Sequence, residues 1–416
     1  MIKFTNGYIL NKDFNVVKAD VTINNNKIIS VGNSSFEGAE IYDLKGNLLM
    51  PSFKNAHTHS AMTFARSYAD GLPLDKWLNE MIFPMEAKLN GRDIYYLSQL
   101  AFLEYLTSGI TACFDMYYFP ENMAQASVDL GFRTVMCCAI NNFKETPALL
   151  EEYYNKYNNY NELVSYKIGF HAEYTTSKEL MSSVSNIAEK YKAPVFVHSS
   201  ETKSEVEGCI KRYGKTPTAL FDELGLFNYG GGAYHSVWVN DDDLEIYKKR
   251  GIWAVLNAGS NCKLASGIAP VSKMIKKDIN LAIGTDGPSS NNALDMFREM
   301  NLIYSLQNIN DMTASSIDAI DILKMATKGS AHCMGLNDCD VIEEGKIADL
   351  VVIDLHRPNM QPINNIAKNI VYSGSKENVL MTMINGKILY DNRDFIGIDT
   401  EKIYAEAQAV IDRIKQ

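Results

Sequence analysis

Short apolar runs alternate with helical periodicity through the middle of the chain. Near-continuous apolar segments such as residues 252–256 (IWAVL) are typical of parallel strands that are buried on both faces. We predict eight such strands, over residues 48–59, 110–117, 133–140, 166–174, 193–201, 232–239, 251–258 and 279–286. Helical patterns are clear over residues 93–108, 147–157, 177–192, 241–249 and 268–277. The repeated order of strand and helix predicts an α/β fold with a (β/α)8 TIM-type barrel rather than an open sheet.

Both ends of the chain show a different pattern. Residues 1–47 alternate apolar and polar positions like antiparallel strands, with polar turns such as Asn24-Asn25-Asn26-Lys27. Residues 347–354 and 379–390 also predict strands, and Asn385-Gly386 is typical of a hairpin turn. Each β-rich end is too small to bury a core of its own. We therefore predict that the two ends pack together as one small β-sandwich domain, followed by an amphipathic helix over residues 400–415.

These patterns divide the 416 residues into three segments. Residues 1–49 are the first part of the β-domain, residues 50–344 are the catalytic barrel, and residues 345–416 are the second part of the β-domain with the terminal helix. The composition, 46% hydrophobic and 22% charged, is that of an ordinary globular protein. A net charge of −10 argues against nucleic acid or an anionic membrane surface as the partner.

Features of targeting and redox state favour a cytoplasmic protein that acts on a small molecule. The first residues lack the apolar stretch of a secretion signal, and the chain has no run of 18 apolar residues that would span a membrane. The seven cysteines are an odd number and include no C-x-x-C pair. We expect all seven to be reduced thiols, most of them buried. Whether the protein is a homo-oligomer is left open.

The most informative motif is His57-Thr58-His59, at the end of the first predicted strand. Residues i and i+2 of a strand point to one face, so the two imidazoles can converge on a metal ion. Five of the seven histidines lie at or near the carboxyl ends of predicted strands, namely His57, His59, His171, His198 and His235, and Asp286 ends the eighth. In β/α barrels that rim carries the active site. We expect His332, in a helical stretch, and His356, in a loop, to have structural roles.

Three imidazoles and a carboxylate are suited to Zn²⁺ or Fe²⁺ and leave one coordination position open for water. A bound divalent cation lowers the pKa of that water towards ~7. Glu201 follows His198 by three residues and can project over the pocket to move protons. Each residue also has a plainer interpretation. Glu201 can be a carboxylate at a helix start, Asp286 can cap a turn, and His235 can be either a ligand or a hydrogen-bonding neighbour of the ligands.

Several stretches of the chain resemble the amidohydrolase superfamily, and most closely its 5′-methylthioadenosine/S-adenosylhomocysteine deaminase group, near the chlorotriazine hydrolases. The matching motifs are PSFKNAHTH (51–59), VHSSE (197–201), YH (234–235) and GTDGPSSNN (284–292), with further similar stretches at 74–78, 84–86 and 256–270. The resemblance covers nearly the whole chain, including both β-rich ends. It implies a metal-dependent aminohydrolase that acts on the carbon–nitrogen bonds of cyclic amidines.

The resemblance also implies roles for single residues. The metal ligands would be His57, His59, His198 and Asp286, the catalytic residues Glu201, His235 and Asp286, and the substrate contacts Trp77, Glu86, His171 and Glu201. Glu86 would accept hydrogen bonds from a ribose diol, and Trp77 would pack on the 5′ substituent. Relatives with two metals use a carboxylated lysine at the end of strand four, where this chain has His171. The resemblance therefore implies one divalent metal per chain, with zinc favoured and iron as the alternative.

The chain departs from the family pattern after the third strand. Relatives that take the homocysteinyl substrate have arginines there for its carboxylate, whereas residues 137–144 of this chain contain no arginine and only Lys144. A lysine is a weaker point charge than a bidentate guanidinium. We therefore expect 5′-methylthioadenosine, 5′-deoxyadenosine, adenosine or a related aminopurine as substrate. The alternatives are a guanine-, pterin- or triazine-type aminohydrolase or chlorohydrolase, and, last, a catalytically silent scaffold.

Overall fold

The computed structural model describes residues 1–32, 36–72 and 74–415. Eight parallel strands form one sheet in which each strand pairs with the next one along the chain. They are Phe53–Thr58, Ile110–Met116, Arg133–Cys137, Val164–Ala172, Val195–Ser199, Gly231–His235, Ile252–Leu256 and Asn280–Ile283. This confirms the predicted barrel. All eight strands end earlier than predicted, by one to four residues. His59, Glu201 and Asp286 therefore lie just after their strands, whereas the other four rim residues are among the last residues of their strands: His57, His171, His198 and His235.

The first and eighth strands close the barrel beside the site. The backbone N–H of Asp286 donates to the carbonyl of His57 at 3.0 Å. The side chain of Asn55 accepts from the backbone N–H of Thr285 at 2.8 Å and donates to its hydroxyl at 2.7 Å. Gly284 permits this approach, because a Cβ there would lie 2.8 Å from the backbone nitrogen of His57. Closure of the barrel thus brings Asp286 directly against His57.

Helices cover the outside of the barrel. The longest are Gly91–Thr107, Met296–Asn310, the terminal helix Thr400–Ile414 and Lys178–Tyr191. Shorter ones are Leu74–Lys76, Phe83–Glu86, Pro120–Leu130, Pro147–Tyr157, Lys203–Tyr213, Pro217–Glu223, Asp241–Arg250, Ala258–Lys263, Val271–Lys276, Ala319–Lys324, Ser330–Met334 and Ile366–Tyr372. Their starts follow local signals: the side chain of Thr146 accepts from the N–H of Leu149, with proline at the first helical position.

Two further sheets, built from both ends of the chain, form the predicted β-sandwich. One has four strands in the order Lys27–Val31, Val21–Asn24, Ile2–Thr5 and Glu40–Asp43. The other has seven, in the order Asp394–Phe395, Lys387–Asp391, Val379–Ile384, Leu350–Ile353, Leu48–Pro51, Tyr8–Leu10 and Val16–Lys18. Buried side chains from both sheets, such as Phe4, Ile23, Leu49 and Val352, share one apolar cluster. The boundaries at 49/50 and 344/345 stay a prediction.

The prediction of a single strand over 48–59 was wrong. Leu48–Pro51 pairs with Leu350–Ile353 in the small domain, and Phe53–Thr58 begins the barrel. At the junction, the N–H of Ser52 donates to the carbonyl of Asp349. All residues from 48 to 58 are buried, one half in each domain. Continuous hydrophobicity therefore could not mark the point at which the chain changes sheets.

All seven cysteines are free thiols, and six of them are buried. This agrees with the expectation of reduced, mostly buried cysteines. Within the described residues, none of the helices combines the length and the apolar character needed to cross a membrane.

Candidate active site

A cavity of about 600 Å³ opens at the carboxyl ends of the barrel strands. All but one of the predicted site residues line it: His59, Trp77, Glu86, His171, His198, Glu201, His235 and Asp286. The exception, His57, is fully buried beside them, with its ring centroid 4.9 Å from that of His59 and 4.7 Å from that of His198. Side chains from five different strand ends thus meet at one place.

His57 lies at the base of this group. Its ring stacks on Tyr234, with centroids 3.7 Å apart. Neither ring nitrogen makes a hydrogen bond within the described part of the chain, and Nε2 lies 3.5 Å from Oδ1 of Asp286. Burial lowers the pKa of His57 to about 3, which keeps the imidazole neutral. A buried neutral imidazole without a hydrogen-bond partner is suited to donate a lone pair to a metal ion.

His59 and His198 are each fixed by a backbone carbonyl. Nδ1 of His59 is 2.7 Å from the carbonyl of Met116, and Nδ1 of His198 is 2.8 Å from that of His171. Because a carbonyl can only accept, each Nδ1 carries the proton and each Nε2 keeps its lone pair. Such carbonyl contacts typically orient histidines that bind metals. Burial also lowers the pKa of His198 well below its usual value.

Asp286 presents its two oxygens to different neighbours. Oδ2 accepts from the hydroxyls of Ser260 at 2.6 Å and Ser290 at 2.8 Å. Oδ1 accepts from the N–H of Gly287 and lies 3.3 Å from Nε2 of His59. Burial alone would raise the pKa of this carboxyl, but the adjacent imidazoles of His57 and His59 hold it well below its usual range. Asp286 is therefore an ionised carboxylate whose Oδ1 faces the two histidines.

Two overlapping groups of side chains have the spacing to hold a metal ion. Ligand atoms of His57, His59 and Asp286 lie within 4.8 Å of one another, and so do those of His57, His198 and His235. The donors are imidazole nitrogens and one carboxylate, a set that suits a divalent transition metal. The unpaired nitrogens of His57 are the strongest sign of fit, since buried polar atoms are normally satisfied. The residues present therefore fit a divalent metal.

Glu201 and His235 face each other next to the metal-ligating group. Nδ1 of His235 lies 2.8 Å from the side-chain oxygen of Asn261, so Nδ1 carries the proton and Nε2 points to Oε2 of Glu201, 3.8 Å away. The hydroxyl of Ser266 donates to Oε1 of Glu201 at 3.1 Å. Glu201 is only 3% exposed, and burial raises the pKa of its carboxyl. A carboxyl with a raised pKa is equipped to exchange protons near neutral pH.

The outer part of the cavity combines a carboxylate, a lysine and aromatic rings. Glu86 is buried, and its Oε2 lies 3.6 Å from Nζ of Lys144. The same Nζ lies 4.0 Å from the ring centroid of Tyr118. Trp77 is buried in a π-helical turn, Trp77–Ile82, over this region. Nδ1 of His171 is 2.8 Å from the hydroxyl of Thr175, and burial lowers the pKa of His171 to about 4.

Several residues of the site carry no role in the sequence prediction. Tyr117, Tyr118 and Phe83 line the cavity, while Ser260, Ser266, Asn261 and Ser290 hold the polar side chains described above. The sequence contained a sign of their importance, because these serines and Asn261 lie within stretches 256–270 and 284–292, which resemble the superfamily. His332 pairs with Asp340, and His356 contacts the carbonyl of Lys45; both lie outside the cavity.

Comparisons with known proteins extend along the whole chain. Residues 48–389 match the model of the Amidohydrolase family. The chain is 37% identical over 400 residues to a 5-methylthioadenosine/S-adenosylhomocysteine deaminase of Thermococcus sibiricus, covering 93% of each chain. It is 36% identical over 422 residues to a 5′-deoxyadenosine deaminase of Methanobrevibacter smithii, covering 97% of this chain and 95% of that one. A zinc-bound adenosine deaminase from Xanthomonas campestris superposes with a TM-score of 0.95 at 31% identity, covering 100% and 98% of the two chains.

Proposed function

The chain belongs to the amidohydrolase family, and from that premise we propose that it deaminates an aminopurine nucleoside such as 5′-methylthioadenosine, 5′-deoxyadenosine or adenosine. Water replaces the exocyclic amino group, and ammonia is released. The observation that carries this proposal is the single cavity in which imidazoles with free Nε2 atoms, an ionised Asp286 and a buried Glu201 meet. The names of the relatives favour adenosine-type nucleosides over free bases and triazines.

One metal per chain, zinc before iron, is held by His57, His59, His198 and Asp286 in this proposal. Zinc is preferred because the similar adenosine deaminase structure contains it. When bound, a divalent metal supplies Lewis acidity that makes water a nucleophile at neutral pH. His235 is left out of the ligand set because Glu201 faces its Nε2.

Glu201 handles the protons of the reaction. Its carboxylate takes a proton from the attacking water and delivers it to the ring nitrogen next to the amino-bearing carbon. The raised pKa of the buried Glu201 carboxyl supports this shuttle, because it makes the carboxylate a stronger base for the proton of water. His235, fixed by Asn261, orients the attacking water from the opposite side through Nε2. The amino group then takes the second proton of the attacking water and leaves as ammonia, while the ring carbon and the added oxygen form a carbonyl.

Glu86 and the aromatic wall bind the sugar end of the substrate. The buried carboxylate of Glu86 accepts hydrogen bonds from the ribose diol, and Trp77 packs on the 5′ substituent. A second, solvent-open hollow lined by Phe83, Tyr118 and Lys144 adjoins the cavity past Glu86 and receives this substituent in the proposal. Its cation, Lys144, already faces Glu86. A substrate carboxylate must compete with Glu86 for this lysine, so uncharged 5′ substituents are favoured.

A panel of substrates tests the proposal. Purified protein with a measured metal content is assayed for ammonia release from adenosine, 5′-deoxyadenosine, 5′-methylthioadenosine, S-adenosylhomocysteine, guanine and an aminotriazine. We expect turnover of the nucleosides, with the uncharged 5′ substituents ahead of S-adenosylhomocysteine. Turnover of guanine or the triazine alone would replace the proposed substrate class. No turnover of any compound by the metal-loaded protein would favour a silent scaffold.

A further inference from the structure

Glu299 is a fully buried carboxylate behind the active site. It lies on the helix Met296–Asn310, which follows the eighth barrel strand. Its Oε2 accepts from the backbone N–H of Gly259 at 2.9 Å, and its Oε1 accepts from the side-chain amide of Asn291 at 2.8 Å. Across residues 1–32, 36–72 and 74–415, the carboxylate of Glu299 forms no ion pair with lysine, arginine or histidine. Burying a carboxylate without a cation is costly, so its two contacts call for an explanation.

Both contacts lead to Asp286. Gly259 immediately precedes Ser260, and Asn291 immediately follows Ser290. The hydroxyls of these two serines are the donors to Oδ2 of Asp286. The Asn291 amide also donates to the carbonyl of Thr285, the residue before Asp286, at 2.7 Å. Glu299 therefore ties together the two loops that hold the carboxylate of Asp286.

Gly259 makes this contact sterically feasible. A Cβ at position 259 would collide with Oε1 of Glu299 and with the side-chain amide of Asn291. Alanine is otherwise favoured there, since Gly259 lies in the short helix Ala258–Lys263 and alanine has the higher helix propensity. The absence of a side chain at this position thus serves the approach of Glu299.

We propose that Glu299 is a positioning residue that clamps the loops after the seventh and eighth barrel strands, so that Ser260 and Ser290 hold one oxygen of Asp286 and the other faces the histidines. Glu299 itself does not touch the cavity. The inference rests on the metal site of the proposed function. Partners of metal ligands usually change metal affinity or activity by about 10- to 100-fold when they are replaced.

Gln307 provides a matched control on the same helix. It is 1% exposed, and its Oε1 accepts from the backbone N–H of Val271 at 2.7 Å and of Ser272 at 3.3 Å. It therefore secures the start of the helix Val271–Lys276, which also follows the seventh strand, but its contacts do not lead to Asp286. A general loss of packing or hydrogen bonding would affect variants of Gln307 and Glu299 alike.

Zinc affinity tests the proposal independently of catalysis. We would measure the zinc dissociation constant by competition with a chromophoric chelator for the wild type, Glu299→Gln, Gly259→Ala and Gln307→Met, and follow folding by circular dichroism. In Glu299→Gln, the side-chain NH₂ group faces one of the two donors, the backbone N–H of Gly259 or the amide of Asn291. In Gly259→Ala, the added methyl group collides with Glu299 and Asn291. We expect both changes to weaken zinc binding by about 10- to 100-fold, with Gln307→Met close to wild type.

Two results would overturn the positioning role: wild-type zinc affinity in both Glu299→Gln and Gly259→Ala, or an equal loss in Gln307→Met. In kinetic assays the role predicts a lower kcat with an unchanged KM for the nucleoside, because Glu86 and Trp77 are untouched. Failure of the proposed function would be detected by a separate measurement, ammonia release by the wild type. A wild-type chain that binds zinc tightly and releases no ammonia would contradict the deaminase while the zinc measurements still decide the role of Glu299.

Discussion

Buried polar side chains lie at both ends of the barrel, but their hydrogen bonding differs between the two ends. At the amino-terminal end, Lys54 donates to the hydroxyls of Ser52 and Thr111 at 2.6 and 2.8 Å. Arg133 contacts both carboxylate oxygens of Asp349, at 2.9 and 3.1 Å, and Lys54 lies 3.9 Å from the same carboxylate. At the carboxyl end, His57 has no hydrogen bond to either ring nitrogen in the described part of the chain.

This difference indicates that the amino-terminal end of the barrel contributes to stability, whereas the rim at the carboxyl end provides the functional site. Asp349 belongs to the segment leading into a strand of the small domain, while Lys54 and Arg133 belong to barrel strands, so the satisfied network joins the domains. At the rim, by contrast, both ring nitrogens of His57 lack a hydrogen bond in the described part of the chain, which costs stability but leaves a metal-binding atom available. Replacing a charge at the amino-terminal end should therefore unfold the protein, and replacing one at the rim should inactivate it.

The largest loss of stability is expected for Asp349→Ala. It leaves Lys54 and Arg133 buried without their carboxylate, which typically costs about 3–5 kcal/mol. Denaturant unfolding measures this loss. Asp278→Ala serves as the control, because Asp278 pairs with Lys248 at the surface, where an ion pair contributes about 0–1 kcal/mol. Equal unfolding free energies for the two variants would contradict the role assigned to the amino-terminal network.

Glu201→Gln at the rim should have the opposite effect, a loss of activity without a loss of stability. Loss of the proton shuttle lowers kcat by roughly 10²- to 10⁴-fold. The unfolding free energy should not fall, because the amide removes a buried carboxyl whose pKa burial has raised. Metal content should stay at the wild-type value, since Glu201 is not a proposed ligand. Turnover close to wild type in the metal-loaded variant would remove Glu201 from the mechanism.

Buried carboxyls near the rim also predict an unusual dependence of stability on pH. Burial raises the pKa of Glu205 to about 7, although Glu205 accepts from the N–H groups of Ser200 and Glu201. Between the unfolded pKa and about 7 the folded state binds more protons than the unfolded state, so stability falls as pH rises through this window. Urea unfolding between pH 5 and pH 8 should show a smaller decrease for Glu205→Gln than for wild type. An identical decrease in both would show that Glu205 does not titrate there.

At the opposite end, the pH dependence should have the reverse sign. Burial alone would raise the pKa of Asp349, but Arg133 and Lys54 hold it below its usual value. A lowered folded pKa stabilises the protein above the unfolded pKa, and this stabilisation is lost as acid protonates the group. Below about pH 4, acid unfolding of Asp349→Ala should therefore be less steep than that of wild type. Equal steepness in the two proteins would argue against an ionised Asp349.

The smallest effect is expected at the mouth of the cavity. Lys144 is part exposed, and its 3.6 Å contact with Glu86 should contribute less than about 1 kcal/mol. Lys144→Met should therefore raise KM for 5′-methylthioadenosine no more than about fivefold and leave kcat unchanged, with Lys144→Arg as the control that keeps the charge. A change in kcat, or a preference for S-adenosylhomocysteine in the wild type, would contradict the proposed use of this lysine.

The sequence pattern predicts the barrel and most of the rim because both depend on local order. Each rim histidine and Asp286 lies at or just after the end of a strand. The strands are visible as apolar runs, so His198 and Asp286 could be placed before the structure was known. The Lys54–Asp349 contact joins residues almost 300 positions apart. Periodicity carries no information on such pairings, and the same holds for the contacts of Glu299 with Gly259 and Asn291.

The most direct test of a single-metal deaminase centre at the rim is a zinc titration of the metal-free protein. Ammonia release from 5′-methylthioadenosine is measured at each zinc concentration. If the proposed ligands His57, His59, His198 and Asp286 hold one metal ion, activity should rise linearly and level off at one zinc per chain. Full activity in the metal-free protein, a plateau only at two zinc ions per chain, or no ammonia at any ratio would contradict the account.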